Sequence, residues 1–289
     1  MVPVGPKSAL VLALASLAGL AMFAWPLLIP AGPEAVQHDI DSGYIFVAIL
    51  PVLVLLVLVQ LTEGGMDAKA LALLGVLSAV NAAVRPLGAG TNGIETVFFL
   101  LIAAGRVLGP GFGFTLGCTS LFASALLTSG VGPWLAFQML ASAWVGMGAG
   151  LLPDRLFGKA LRGRAELAML AIYAACSAYL FGLLMNLWFW PYLASGVAED
   201  PGLAYIPGAP LQDNLARFLW FTLISSTLVW DTGRAVTNVL LMAVLGTPVL
   251  GALRRVARKA NFAPEVCYRP IPAGTGKSAD RLSDPAAGG

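Results

Sequence analysis

The densest group of chemistry-bearing residues in this chain is Trp230-Asp231-Thr232-Gly233-Arg234-Ala235-Val236-Thr237-Asn238. Asp231, Arg234 and Asn238 recur at three and four residues, which places them on one face of a helix. They lie within an otherwise apolar run, where an ionisable group is expensive and by default a functional candidate. Two readings stand side by side: an Asp231–Arg234 pair that fixes helix packing, or a pair that meets a ligand. A second set is spread through the chain. Asn81, Arg85, Asn92, Glu95, Trp134, Gln138, Asn186 and Trp188 all fall near the ends of apolar runs that share one side of the predicted topology. Amide, guanidinium and indole groups converging on an apolar pocket are what recognition of a small molecule requires. Tryptophans at such positions also serve as interfacial belt residues.

Other chemistries are not encoded. The chain has no phosphate-loop, HExxH or GxSxG sequence, and Gly105-Arg106-Val107-Leu108-Gly109-Pro110-Gly111 lacks the Lys-Ser/Thr end that cradles a nucleotide. The lone His38 and the scattered Cys118, Cys176 and Cys267 assemble neither a metal site nor a disulfide framework. The expectation is therefore no catalytic residue, no metal, no cofactor and no nucleic-acid partner.

The elements that carry these residues are membrane helices. Charged residues make up 11% of 289, hydrophobic residues 58%, and mean hydropathy is +0.83. A soluble domain carries about 25% charged residues. A helix needs about 20 apolar residues to cross the hydrocarbon core, and backbone groups in lipid must be bonded within their own segment. Apolar runs and their breakers predict about eight spans: 8–29, 44–61, 68–84, 96–108, 112–127, 134–152, 167–188 and 214–249, the last tilted or broken. The fourth is short, and either starts near Gly93 or packs as a partly re-entrant piece. The first reads as an uncleaved anchor, because its apolar run exceeds a signal-peptide core and no small-x-small cleavage site follows. The fold class is all-α and polytopic.

Orientation follows from Lys and Arg. With the N-terminus inside, fourteen of these residues face the cytoplasm, from Lys7, Lys69 and Arg106 to the 155–164 and 254–281 clusters, and only Arg85 and Arg217 face out. Both termini are expected in the cytoplasm, with residues 191–213 forming a structured outer cap and 259–289 a disordered tail. Within span 68–84, Ala68, Ala72, Gly75 and Ala79 place small side chains on one face. They serve either packing within the chain or docking of a separate membrane subunit. Gly109, Gly113 and Gly117 carry GxxxG spacing and predict close helix contact.

From residue 68 to 258 the chain resembles the substrate-binding (S) components of energy-coupling factor transporters, of the actinobacterial type. The resemblance rests on the alanine-rich segment 70–86, on the 105–114 glycine segment running into Ser120-Leu121-Phe122-Ala123-Ser124-Ala125, and on Gly132-Pro133-Trp134 through Gln138. It also rests on Ala143-Trp144-Val145-Gly146-Met147-Gly148-Ala149-Gly150, and on Trp230-Asp231 with Arg234, Asn238 and the segment 246–255. It implies a six-helix membrane domain over residues 66–258, preceded by two additional helices in 1–65. It further implies binding of a vitamin or related micronutrient from outside, with cobalamin the first guess. In such transporters a membrane coupling subunit, docked on a small-residue face that Ala68-xxx-Ala72 matches here, and paired ATPases drive uptake. The alternatives are a membrane-embedded enzyme acting on a lipid-linked substrate through Asp231 and Arg234, and a structural subunit of another membrane complex.

Overall fold

The computed structural model describes residues 5–28, 66–88, 93–132, 134–156, 158–193, 202–206 and 208–260, of which 83% are helical. The expected span 44–61, Asn92 and the tail from 261 onward lie outside the described residues.

Helix α1 covers Pro6–Leu28. Helix α2, Ala68–Val84, starts where the Asp67 side chain accepts a hydrogen bond from the Ala70 amide at 2.8 Å, an N-cap. It closes through the 3-10 turn Arg85–Gly88, where Pro86 has no N–H to continue the ladder. Helices α3, Val97–Leu108, and α4, Pro110–Leu127, are separated by Gly109 alone. Gly109 has φ 106°, a conformation only glycine adopts without strain, and Pro110 then opens α4 at its first turn. Helix α5 covers Leu135–Leu151 and α6 covers Arg164–Leu193. Between them the antiparallel pair Arg155–Leu156 and Lys159–Ala160 (β1 and β2) makes a small turn that the all-α reading did not anticipate. The last rod is Leu211–Lys259: α7, Leu211–Thr222, runs into a π-helical stretch, Leu223–Asp231, and continues as α8, Thr232–Lys259.

Apolar side chains cover the outside of the bundle as well as filling its core. Leu71, Val76, Ile172, Leu180, Leu228 and Val244 face outward, while Ser78, Asn81, Thr115, Ser120, Ser124 and Ser142 are buried. Outward leucine and valine over inward hydroxyls suits a bundle whose solvent is hydrocarbon. Five helical stretches are long and apolar enough to cross a membrane: residues 6–24, 68–88, 110–127, 164–191 and 211–259. Helices α3 and α5 are apolar but shorter. The chain is thus a helical, multi-pass membrane protein.

Glycines set the innermost packing. A Cβ on Gly113 would meet the Gly146 carbonyl oxygen at 2.3 Å, one on Gly105 would meet the same oxygen at 2.0 Å, and one on Gly117 would meet the Ala143 backbone at 2.5 Å. Helices α3, α4 and α5 therefore touch backbone to backbone, as the Gly109/Gly113/Gly117 spacing predicts. Helix α1 joins this core through Phe23, edge-on to Phe137 at 5.0 Å, and through Ser16, which accepts from Trp144 Nε1 at 3.0 Å.

One end of the bundle collects the basic residues. Arg106 binds Glu166 through Nε at 2.9 Å, Asp154 through Nη2 at 2.9 Å and the Leu152 carbonyl through Nη1 at 2.8 Å. Arg254 donates to the same Glu166 oxygen at 2.6 Å, and Lys69 Nζ reaches the Ala260 carbonyl at 3.4 Å. The ends of α2, α3, α5, α6 and α8 thus meet at one ionic layer.

Candidate functional site

The expected Asp231–Arg234 pair forms, and it has a third member. Arg234 Nη1 donates to Asp231 Oδ1 at 2.7 Å, and Nε donates to Glu95 Oε2. The Asp231, Arg234 and Glu95 side chains are 1%, 12% and 21% exposed. Arg234 is further held between aromatic faces, 4.9 Å from the Phe181 ring and 5.8 Å from Phe98, a cation–π arrangement. Asn238 completes the set: its Nδ2 donates to the Glu95 carbonyl at 2.7 Å and the Arg234 carbonyl at 2.8 Å.

The physical reason for this arrangement is the short third helix. Twelve residues of α3 span about 18 Å, less than the hydrocarbon core. Residues 93–96 therefore enter the bundle, and irregular backbone at that depth needs internal partners. Asn238 supplies one. Gly93, at φ 79°, supplies the clearance: a Cβ there would meet the Trp230 carbonyl oxygen at 2.5 Å. The depth of the triad follows from α6. Asp231 lies against Gly182, where any Cβ would meet its carboxylate at 2.0 Å. From Glu166 in the ionic layer to Gly182 is sixteen residues, about 24 Å at 1.5 Å each. The triad thus sits beyond the midplane, toward the end opposite the basic layer.

Between α6 and the π-helical stretch a cleft of about 400 Å³ opens on Asp231 and Arg234. Asp231, Arg234, Asn186 and Ser226 bring polar groups to it, and Phe189, Phe221 and Trp230 bring aromatic faces. The π-helical register widens the rod here, a feature frequent at functional sites. Hydroxyls occupy the widened turns. Ser226 Oγ donates to Asp231 Oδ2 at 2.9 Å, Thr227 Oγ1 reaches the same oxygen at 3.5 Å, and Thr232 Oγ1 donates to the Thr227 carbonyl at 2.7 Å. Asn186 Nδ2 is buried and has no hydrogen-bond partner among the described residues.

The other expected site residues are distributed differently. Asn81, Arg85 and Gln138 form a separate network between α2, α4 and α5. Asn81 Nδ2 donates to Ser120 Oγ at 3.0 Å, while Arg85 donates from Nη2 to Gln138 Oε1 at 3.1 Å and from Nη1 to Ser124 Oγ at 3.4 Å. None of the three lines the cleft. Trp188 is buried against Phe137 and Phe189, with ring centroids 4.9 and 5.8 Å apart. Trp134 is exposed and folds over Gly132. Glu95 and Asn238 stand behind Arg234 rather than in the cleft wall. Ala68, Ala72, Gly75 and Ala79 are all exposed, and a Cβ on Gly75 would meet nothing within 4 Å. Sequence reasoning passed over Gly182, Phe189, Phe221 and Ser226. The available signal was the run Ser225-Ser226-Thr227, three hydroxyls one turn before Asp231.

Among the described residues no three His, Cys, Asp or Glu side chains are grouped to hold a metal ion. Fold and site together define a helical multi-pass membrane protein with a mixed polar and aromatic cleft beside a buried ionic triad. Compared with family models, curated proteins and solved structures, the chain matches none.

Proposed function

We propose that this chain is the substrate-specific membrane subunit of an energy-coupling-factor-type transporter, binding a small micronutrient for ATP-driven uptake. The observation that carries the reading is the cleft. Its volume, about 400 Å³, falls within the range of small-molecule sites, roughly 300–1,000 Å³, and its few polar groups stand against aromatic walls. That volume favours a one- or two-ring compound over a corrinoid with its nucleotide loop. Among the described residues, both charged side chains lining the cleft, Asp231 and Arg234, are engaged in a pair, which favours binding over acid–base chemistry on a lipid-linked substrate.

The basic ionic layer faces the cytoplasm of the cell membrane, as the excess of Lys and Arg requires, with both termini inside and the cleft nearer the outer surface. The exposed Ala68, Ala72, Gly75 and Ala79 face receives a membrane coupling subunit, and ATPases bound to that subunit supply the energy. Changing Ala72 to Leu tests this directly, because a larger side chain prevents close helix approach. The variant is expected to fold normally yet lose the coupling subunit and ATPases on affinity purification from native membranes, and to lose uptake. Wild-type recovery of those partners with Ala72→Leu would overturn the assignment.

A further inference from the structure

Counting charge around the triad leads to a property of the ligand. Glu95 and Asp231 contribute two carboxylates, and Arg234 is the cation paired with both among the described residues. With all three ionised, these described side chains sum to −1. A carboxylate in low dielectric without compensation is strongly disfavoured, so the excess negative charge is removed either by a proton or by a second positive charge. Among the described residues, Asp231 and Arg234 are the charged side chains that line the cleft. Arg234 is already shared by the two carboxylates through Nε and Nη1, with its face against Phe181 and Phe98, so an anion beside it would be the third negative charge on one cation. Asp231 lines the cleft and takes Arg234 on Oδ1 and Ser226 and Thr227 on Oδ2, which leaves acceptor capacity, since a carboxylate has about four lone-pair sites. The aromatic walls Trp230, Phe189 and Phe221 present negative π faces, which attract a cation and repel an anion.

We propose that the cleft selects a flat, positively charged ligand group, an amidinium or an aromatic ring cation, which stacks among Trp230, Phe189 and Phe221 and neutralises the excess carboxylate at Asp231. This rests on the cleft being the ligand site, and names the charge of what enters it.

Three probes of one shape and different charge decide it: benzamidine, benzamide and benzoate, titrated into the full-length protein in detergent while tryptophan fluorescence and Tm are followed. Benzamidine binds at least about tenfold more tightly than benzamide, the gain of one charge-assisted hydrogen bond, and benzoate binds most weakly. Asp231→Asn reduces benzamidine to the benzamide level while Arg234 keeps Glu95 as its partner. Should that variant not fold, the order of the three probes on the wild-type protein carries the test alone. Ser225→Trp, which fills the cleft from an exposed position, blocks every probe. Equal binding of the three, abolished by Ser225→Trp, overturns the charge selectivity and leaves the cleft as the ligand site. Binding of none, or binding indifferent to Ser225→Trp, overturns both.

Discussion

Removing Arg234 leaves Asp231, 1% exposed, and Glu95 close together without a cation, and breaking a buried ion pair in this way is destabilising by about 3–5 kcal/mol. Arg234→Gln is therefore expected to lower the thermal midpoint in detergent sharply. Asp231→Asn combined with Arg234→Gln does not repair it, because Glu95 remains unpaired. The triple variant, with Glu95→Gln added, recovers most of the lost stability, and thermal unfolding of the three proteins side by side checks the order. An equally stable double and triple variant would show that Glu95 does not share the guanidinium. The sequence showed half of this site. Three-residue spacing reveals Asp231 and Arg234 as neighbours on one helix, since that relation is local. Glu95 lies 139 residues from Arg234 and joins only because α3 is too short to carry it to the surface. For the same reason Asn81, Arg85 and Gln138 look like companions of Asn186 in the sequence but belong to another helix interface.

At the scale of elements, two glycines with the same composition signal have opposite environments. Gly113 faces the Gly146 backbone, and a larger side chain there overpacks a contact with no room to relax, at a cost of about 1–3 kcal/mol or more. Gly75 faces outward with nothing within 4 Å of a Cβ. Gly113→Leu should reduce the yield and thermal midpoint of the purified protein, whereas Gly75→Leu should leave both near wild type. The reverse result would exchange the roles of the two faces. Helix extents were largely legible, because apolar runs end where Pro, Gly and Asp interrupt them: α2 in the structure is Ala68–Val84, the range read from the residues. The π-helical stretch Leu223–Asp231 was not, because its apolar and hydroxyl residues fit an α-helix equally well. Its register is decided by tertiary contacts, among them the Gly93 approach to Trp230 and the seating of Asp231 on Gly182. Deleting Thr227 removes one residue from the widened turns and two hydroxyl contacts with them. Benzamidine quenching of tryptophan fluorescence should then be lost while far-UV circular dichroism remains helical.

For the whole molecule, the two ends differ in charge, and that difference fixes the proposed direction of transport. In a chain lacking Cys118, Cys176 and Cys267, a cysteine at Ile206 should react with a membrane-impermeant maleimide added to intact cells. A cysteine at Arg162, beside the basic turn between α5 and α6, should react only after the membrane is opened. The opposite pattern would invert the orientation. The account's central claim is that a small molecule occupies the cleft beside the triad, and the most direct measurement is mass spectrometry of what the protein carries. Wild-type protein purified gently from its native membranes and then denatured should release a cationic, ring-containing compound approaching one per chain. Ser225→Trp protein prepared in parallel should release none. Release of no such compound from the wild-type protein, or of equal amounts from both, would contradict the account.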